Sequence, residues 1–342
     1  MSVCDLDVAR PAVATAELLS IEDLRTVFPA ADHLVAAVDG VTLSVGRGRT
    51  LGIVGESGCG KSVLSHSVMR LLPRPGRVDR GRIVFDGQDL LALSERAMRA
   101  VRTARIAMIF QEPMTSLNPA LTVGRQVAEA MRAHDRRASG AALRERAIGM
   151  LRQVRIPAPE QRFDDYPHQM SGGMRQRVMI AMALSCAPDL LIADEPTTAL
   201  DVTVQAQILD LLRELQQQNG MAIVMITHDL GVVAEMADEV AVMYAGRIVE
   251  RAGTTAIFDD PQHPYTIGLL GSMPNIDEDQ ERLLAIEGAV PSPAALPSGC
   301  RFHPRCVFAA AACTGHDPAL REVGPRHWAA CIRAPVEDFA AS

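Results

Sequence analysis

The segment GESGCGKS, which runs from Gly55 to Ser62, constrains this chain more than any other feature. It fits the phosphate-loop pattern G-x-x-x-x-G-K-[ST] and lies between an apolar run, TLGIV, and a helical pattern, which is the context that the motif requires. Its glycines let backbone N–H groups face a phosphate, Lys61 adds positive charge, and the Ser62 hydroxyl suits Mg²⁺. The pattern predicts a nucleotide site built by Gly55, Glu56, Ser57, Gly58, Cys59, Gly60, Lys61, Ser62 and Val63.

The order of apolar runs predicts an α/β fold. Residues 17–54 and 81–91 hold short alternating runs with turn signals, which favour antiparallel strands. Later runs are almost wholly apolar, as in strands buried on both faces of a parallel sheet, and they lie at 105–110, 190–195 and 222–229. Helical patterns occupy 125–154, 174–186, 202–218 and 230–237. This alternation predicts strands joined by right-handed helical crossovers.

Two adjacent acids supply a second half for the nucleotide site. In DLLIADEP, residues 189–196, an apolar strand ends at Asp194 and Glu195 follows it. A carboxylate at the end of such a strand can hold Mg²⁺ through water, which is the role predicted for Asp194. The next carboxylate, Glu195, is placed to polarise an attacking water.

Further short motifs resemble those of ABC ATPases, in that family's order, over about residues 18–255. They are MSGGMRQRVMIAMAL at 170–184, which resembles the signature motif, Gln111 of the Q-loop, Ala199, Leu200 and Asp201 of the D-loop, and His228 as the switch histidine. The resemblance implies an ABC-type nucleotide-binding domain with a mixed sheet core, an antiparallel β subdomain and a helical subdomain. It also implies catalytic roles for Glu195, His228, Lys61 and Gln111, with Mg²⁺ held by Ser62, Gln111 and Asp194.

The family arrangement implies a sandwich of two such domains around two ATP molecules. Each site would join one chain's phosphate loop to Ser171, Gly172 and Gly173 of the other chain, with Asp201 nearby. This sequence holds one phosphate loop, so a second ATPase subunit, identical or homologous, is expected. Met170 and Met174 stand where the family more often has Leu and Gln, while the Ser-Gly-Gly core is kept.

Two residues near the predicted nucleotide have open interpretations. Phe28 is predicted to stack on adenine, as in the family's A-loop, and core packing is the alternative. Cys59 lies inside the phosphate loop. It is either a small residue that contributes only its backbone or a thiol whose modification blocks ATP.

Three segments narrow the resemblance to the ATPase subunits of oligopeptide/dipeptide-type ABC importers: 111–123, 193–209 and 261–270. That subfamily implies an energy-coupling function, in which ATP binding closes the dimer and hydrolysis resets it. It implies two membrane permease subunits and, indirectly, an extracytoplasmic solute-binding protein as partners. The cargo is predicted to be di- or oligopeptides, with nickel or another small solute as the alternative.

Composition bears on location and on rival functions. The N-terminus lacks the features of a secretion signal, and the sequence has no run of 18 uncharged apolar residues, so we expect a peripheral protein on the cytoplasmic face of the inner membrane. The net charge of −7 argues against a nucleic-acid partner. A soluble ABC ATPase acting on nucleic acid or ribosomes is the alternative. A degenerate regulatory subunit is disfavoured because Lys61, Asp194, Glu195 and His228 are all present.

The chain is predicted to divide into a flexible N-terminus at 1–15, a nucleotide-binding domain at 16–260 with a helical subdomain at about 112–172, and a C-terminal domain at 261–342. The last domain is expected to be small and irregular, and it holds four of the seven cysteines, spaced C-x5-C-x6-C-x17-C. Zinc usually uses closer pairs, so zinc and unliganded or redox thiols stay as alternatives. Resemblance to importer subunits with a [4Fe–4S] cluster implies that Cys300, Cys306, Cys313 and Cys331 are its ligands.

Overall fold

The structure is a computed structural model and describes residues 17–30, 33–111, 116–198, 200–272 and 286–335. The N-terminus predicted to be flexible, 1–15, lies outside these ranges, as does Ala199 of the predicted D-loop. The strands are β1 Glu17–Pro29, β2 Leu34–Gly46, β3 Thr50–Val54, β4 Arg77–Phe85, β5 Gln88–Asp89, β6 Ile106–Ile109, β7 Leu190–Asp194, β8 Ala222–Thr227, β9 Glu239–Tyr244, β10 Arg247–Gly253, β11 Arg321–Gly324 and β12 His327–Ala329.

The helices lie between these strands in chain order. They are α1 Lys61–Met69, α2 Glu95–Val101, α3 Val123–His134, α4 Gly140–Gln153, α5 Pro159–Arg162, α6 Gly172–Leu184, α7 Val202–Asn219, α8 Leu230–Met236, α9 Thr254–Asp259, α10 Pro264–Gly271 and α11 Ala311–Gly315. Among the ranges described, no helix is both long enough and apolar enough to cross a bilayer.

A mixed eight-stranded sheet forms the centre, in the order β11-β12-β10-β9-β3-β8-β7-β6. Its strands β9, β3, β8, β7 and β6 run parallel, and every residue of β3, β6, β7 and β8 is buried, as their apolar sequences predict. A separate antiparallel sheet, β2-β1-β4-β5, packs beside it around Leu24, Val41 and Ile83. The predicted α/β class, with its antiparallel β subdomain, is confirmed.

The helical region packs on one face of the central sheet, and the antiparallel sheet packs on the other face. The pattern at 125–154 is two helices, because the polar segment after His134 ends α3 and Ser139 begins α4, its side chain accepting a hydrogen bond from the N–H of Ala142 (3.2 Å). Buried side chains of α3, α4 and α6, such as Val127, Leu143 and Val178, share one core. The signature helix α6 is thereby tied to the helical subdomain.

The C-terminal segment returns to the central sheet. Strand β12 pairs antiparallel with β10, with Glu250 opposite Ala329 and Arg251 opposite Trp328. The carboxylate of Glu250 is fully buried and accepts hydrogen bonds from the N–H of Gln262 (2.5 Å), the N–H of His263 (2.9 Å) and Nε2 of His327 (2.7 Å). One buried side chain therefore joins β10, the start of α10 and β12. The domain limits at 260 and 261 stay a prediction.

Candidate nucleotide-binding site

The phosphate loop begins where the buried strand β3 ends, and helix α1 follows it. Gly60 precedes the helix with φ 108°, and Gly55 has φ 152°. A Cβ added to Gly60 would lie 2.4 Å from the carbonyl oxygen of Ala37, and one added to Gly55 would lie 2.1 Å from that of Met243. Both positions therefore require glycine for conformational and steric reasons. Ser57 and Gly58 are exposed at the tip of the loop, while Val63 packs into the core beneath it.

Lys61 is folded onto its own loop. Its side chain is buried, and Nζ donates to the carbonyl oxygens of Gly55 (2.5 Å) and Glu56 (3.1 Å). These carbonyls hold the ammonium group close to the loop's N–H groups, where a phosphate oxygen can replace them as acceptors. The geometry therefore suits an anion that enters the loop.

The two predicted magnesium ligands of this half of the site are already in contact. The hydroxyl of Ser62 donates to Oδ1 of Asp194 (3.2 Å), and that of Ser65 donates to Oδ2 (3.4 Å). Asp194 ends strand β7 and is 2% exposed; burial raises its pKa, against the smaller effect of the Ser62 hydrogen bond. A buried carboxylate beside a phosphate loop is a suitable place for a divalent cation, whose positive charge would offset the negative charge of the carboxylate.

Glu195 lies at the centre of a second cluster. Its Oε2 accepts from Nε2 of Gln111 (2.9 Å) and the hydroxyl of Thr198 (2.9 Å), and its Oε1 lies 3.2 Å from Nδ1 of His228. Burial acts to raise the pKa of Glu195, but the hydrogen bonds from Thr198 and His228 and the charge of Lys61 outweigh it, so the pKa is lowered. The group is therefore kept as a carboxylate, the form that accepts a proton from water.

The sequence patterns do not single out Thr198, whose one signal is its position three residues after Glu195. A second omission is Gln176, buried on α6, whose side chain donates to the carbonyl oxygen of Pro196. This hydrogen bond ties the signature helix to the segment that follows Glu195. No periodic pattern marks either residue.

The signature residues are presented to solvent. Ser171 and Gly172 are exposed, and the Ser171 hydroxyl accepts from the N–H of Met174 (3.3 Å), so it caps the start of α6. A Cβ on Gly173 would lie 2.8 Å from Cγ1 of Val204 on α7, so α6 and α7 approach closely there. The side chain of Asp201 caps α7, accepting from the N–H of Val204 (2.9 Å), and is exposed.

The surroundings of Phe28 and Cys59 bear on the two interpretations that the sequence leaves open for each residue. Phe28, at the end of β1, is half-buried, and its ring lies close against Gly76, so its predicted adenine contact stays a prediction. Cys59 is 1% exposed, with Sγ 3.8 Å from Nζ of Lys61. Burial raises the pKa of the Cys59 thiol. A protonated, buried thiol reacts slowly, which favours the interpretation of Cys59 as a small loop residue.

The four C-terminal cysteines line one small cavity, together with Phe302, His303 and Phe308. All four are free thiols. Burial raises the pKa of Cys306 to about 11, and the neighbouring cysteines push it in the same direction. Backbone N–H groups approach two of the sulfurs, from Arg333 to Cys331 (3.4 Å) and from Ala310 to Cys313 (3.5 Å). Within the described residues, no three His, Cys, Asp or Glu side chains are set to hold a single metal ion.

Comparison with known families gives two matches. A family described as ABC transporter matches residues 38–198, which include the phosphate loop, the signature segment and Glu195. A second, described as the C-terminal region of oligopeptide/dipeptide transporters, matches residues 249–313.

Curated relatives match along nearly the whole chain. A probable peptide ABC transporter ATP-binding protein of Sinorhizobium fredii is 55% identical over 319 residues, which is 93% of this chain and 95% of the relative. The dipeptide transport ATP-binding protein DppD of Escherichia coli is 50% identical over 321 residues, 94% of this chain and 98% of the relative.

A solved structure supports the fold independently. A dimeric ATP-binding cassette in a post-hydrolysis state, bound to ADP and Pi, aligns with a TM-score of 0.62 at 26% identity, covering 69% of this chain and 98% of that one. The predicted ABC ATPase, acting as an energy-coupling importer subunit, is confirmed by these matches. The chain belongs to the ABC transporter family, among the ATP-binding subunits of the oligopeptide/dipeptide type.

Proposed function

We propose that this chain is the ATPase that drives import of di- or oligopeptides, and that the residues of the two clusters carry its reaction. The observation that carries the proposal is the convergence of Gln111, Thr198 and His228 on the carboxylate of Glu195, whose pKa the charge of Lys61 in the phosphate loop also lowers. The peptide cargo is supported by the printed names of the relatives and by the matched C-terminal region. Nickel or another small solute is the alternative cargo.

Nucleotide binding begins at the phosphate loop. The backbone N–H groups from Gly58 to Ser62 and the N-terminus of α1 favour the phosphates, and Lys61 exchanges its carbonyl acceptors for phosphate oxygens. Mg²⁺ would be held by Ser62 and Asp194, with Gln111 as a further ligand, and would neutralise charge on the phosphates. Phe28 is proposed to contact the adenine.

Hydrolysis needs a water that loses a proton. Glu195 is proposed as the general base, and its partner His228, 3.2 Å away, is proposed as the switch histidine that responds to the γ-phosphate. Gln111 links Glu195 to the helical subdomain, since the chain passes from β6 through Gln111 into that subdomain. Loss of the γ-phosphate would thus change the contacts of Gln111, where the chain enters that subdomain.

The exposed signature residues complete the site of a partner. Ser171, Gly172 and Gly173 open helix α6 with a hydroxyl and backbone N–H groups, which suit the phosphate of an ATP held by a second ATPase subunit. Closure of this dimer by ATP, and its reopening after hydrolysis, would move two membrane permeases. A solute-binding protein outside the membrane would deliver the cargo, and this chain would lie peripherally on the cytoplasmic face.

The four cysteines fit a [4Fe–4S] cluster in their donor chemistry. Cys300, Cys306, Cys313 and Cys331 face one cavity that is also lined by Phe302 and Phe308. Four thiolates are the ligand set that such a cluster takes, and nearby N–H groups stabilise the sulfur charge. The iron of a bound cluster would offset the negative charge of the four thiolates, and the cluster would fix the loops that carry them.

The proposal is tested by Glu195→Gln, which keeps shape and removes the carboxylate. We expect ATP binding to persist while kcat falls by about 10²–10⁴-fold, the range for a general base. The control is Glu129→Gln on α3, the same chemical change away from the site. Uptake of labelled dipeptide, competed by unlabelled dipeptide but not by Ni²⁺, should likewise depend on Glu195. Normal turnover by Glu195→Gln would refute its role, and uptake of Ni²⁺ with no uptake of labelled dipeptide would refute the peptide cargo.

A further inference from the structure

Glu56 is the phosphate-loop residue most heavily contacted by distant parts of the chain. Its N–H donates to the hydroxyl of Tyr265 (2.8 Å), and its two carboxylate oxygens accept from Nη1 and Nη2 of Arg305, at 2.7 and 2.9 Å. Its carbonyl oxygen accepts from Lys61. Every polar group of Glu56 is therefore engaged, and two of its partners come from beyond residue 260.

Arg305 is built into the C-terminal region rather than lying on its surface. Its side chain is 5% exposed, and Nε donates to the carbonyl oxygen of Glu287 (2.9 Å). The group Nη2, besides its bond to Glu56, donates to the carbonyl oxygens of Ile286 and Gly288 (3.3 Å each). Its guanidinium lies over the ring of Tyr244, 5.8 Å from the centroid. A bidentate pair between a buried arginine and a half-buried carboxylate has a defined geometry, so Arg305 fixes the Glu56 side chain in place.

Tyr265 holds the same residue by its backbone. The ring is fully buried and packs on Tyr244 and Phe302, with centroids 4.6 and 5.3 Å away. Its hydroxyl therefore has little freedom to move away from the N–H of Glu56. The peptide unit on each side of Glu56 is constrained, including the carbonyl that holds Lys61.

We propose that Arg305 and Tyr265 are positioning residues for the phosphate loop, so that the four-cysteine region sets the affinity of this chain for ATP. The inference rests on the proposed function only in taking ATP as the ligand of the loop. Arg305 directly precedes Cys306 and lies on the segment that begins at Cys300. The cavity lined by the cysteines is thus connected to the phosphate loop by one side chain.

Charge gives the expected size of the effect. With Arg305 in place, its positive charge neutralises the Glu56 carboxylate. Without Arg305, the negative charge of Glu56 would repel ATP, which itself carries several negative charges. We expect Arg305→Met to weaken ATP binding about tenfold, equivalent to about 1.4 kcal/mol. Removing the carboxylate as well, in Arg305→Met/Glu56→Gln, should recover most of that loss, because the uncompensated charge is gone.

The experiment is titration of the full-length chain with a fluorescent ATP analogue and Mg²⁺, with thermal unfolding recorded for each variant. The matched control is Arg326→Met, which removes an arginine of the same region that is 80% exposed and pairs with Glu239. Tyr265→Phe is a milder second variant that keeps the ring and removes only the acceptor for the Glu56 N–H.

The expected result is a Kd raised about tenfold by Arg305→Met and several-fold by Tyr265→Phe, with recovery in the double variant and no change in the control. A Kd for Arg305→Met within twofold of the unaltered chain overturns the proposal. If Arg305→Met does not fold, Tyr265→Phe decides by the same criterion. Failure of the unaltered chain to bind the analogue would overturn the proposed function, and this inference with it.

Discussion

The buried carboxylate of Glu250 should contribute more to stability than any carboxylate in a surface pair. Replacing it by glutamine exchanges one acceptor oxygen for an NH₂ group. The remaining oxygen can serve the donors on one side, Gln262 N–H and His327 Nε2, but the NH₂ group then faces the N–H of His263. One buried donor is left unsatisfied, and a charge-assisted set of hydrogen bonds is weakened.

The magnitude follows from these contacts. An unsatisfied buried donor costs about 1–3 kcal/mol, and a hydrogen bond to a charged group contributes about 1.5–3 kcal/mol, so we expect a loss of about 3 kcal/mol. At about 2 °C per kcal/mol for a large domain, the Tm falls by about 6 °C. Strand β12 should also lose protection in hydrogen exchange, because Glu250 is what joins it to the start of α10.

The assay is thermal unfolding at neutral pH without nucleotide, followed by circular dichroism. Glu214→Gln is the control, because the Glu214 carboxylate also accepts hydrogen bonds, from Nη2 of Arg155, while both side chains are 49% exposed. A surface pair contributes less than about 1 kcal/mol, so its Tm should change by less than about 2 °C. Equal Tm values for the two variants would refute the reasoning from burial.

Two further predictions concern the same region. Burial lowers the pKa of His263 from 6.5 to about 4, so the unfolded chain binds a proton that the folded chain refuses. Stability should therefore be full above pH 6.5 and fall as the pH drops towards 4, by about 2 kcal/mol at pH 5, measured by urea unfolding at pH 7 and pH 5. His263→Asn should flatten this dependence, and a wild-type midpoint that is equal at both pH values would contradict it. For the cysteines, chain purified without oxygen should contain about four irons; Cys306→Ser should lower the iron content and Cys186→Ser should not, and an iron-free wild-type chain would refute the cluster.

Much of the candidate site follows from local sequence because of one topological fact. The phosphate loop, Gln111, Glu195 and His228 each follow a parallel strand, and those strands are neighbours in the order β3-β8-β7-β6. The carboxyl ends of neighbouring parallel strands meet at one edge of the sheet, so residues that follow them converge. Short apolar runs marked those strands, and this is why the convergence was predictable.

The contacts of the C-terminal region could not be predicted in the same way. The pair between Glu56 and Arg305 spans 249 positions in the sequence, and neither residue belongs to a periodic pattern that announces the other. The pairing of β12 with β10 depends on a three-residue strand, too short for an alternation signal. Such contacts depend on how the elements pack in the tertiary structure, and local sequence patterns do not reveal that packing.

The distance in sequence between Glu56 and Arg305 has a consequence for biosynthesis. At about 5–20 residues per second, a ribosome needs roughly 12–50 s to make the 249 positions that separate them. During that time the phosphate loop exists without the side chain that neutralises its glutamate. A growing chain thus passes most of its synthesis with an unfinished ATP site. By the role proposed for Arg305, it should bind nucleotide tightly only once the cysteine-bearing segment has left the ribosome.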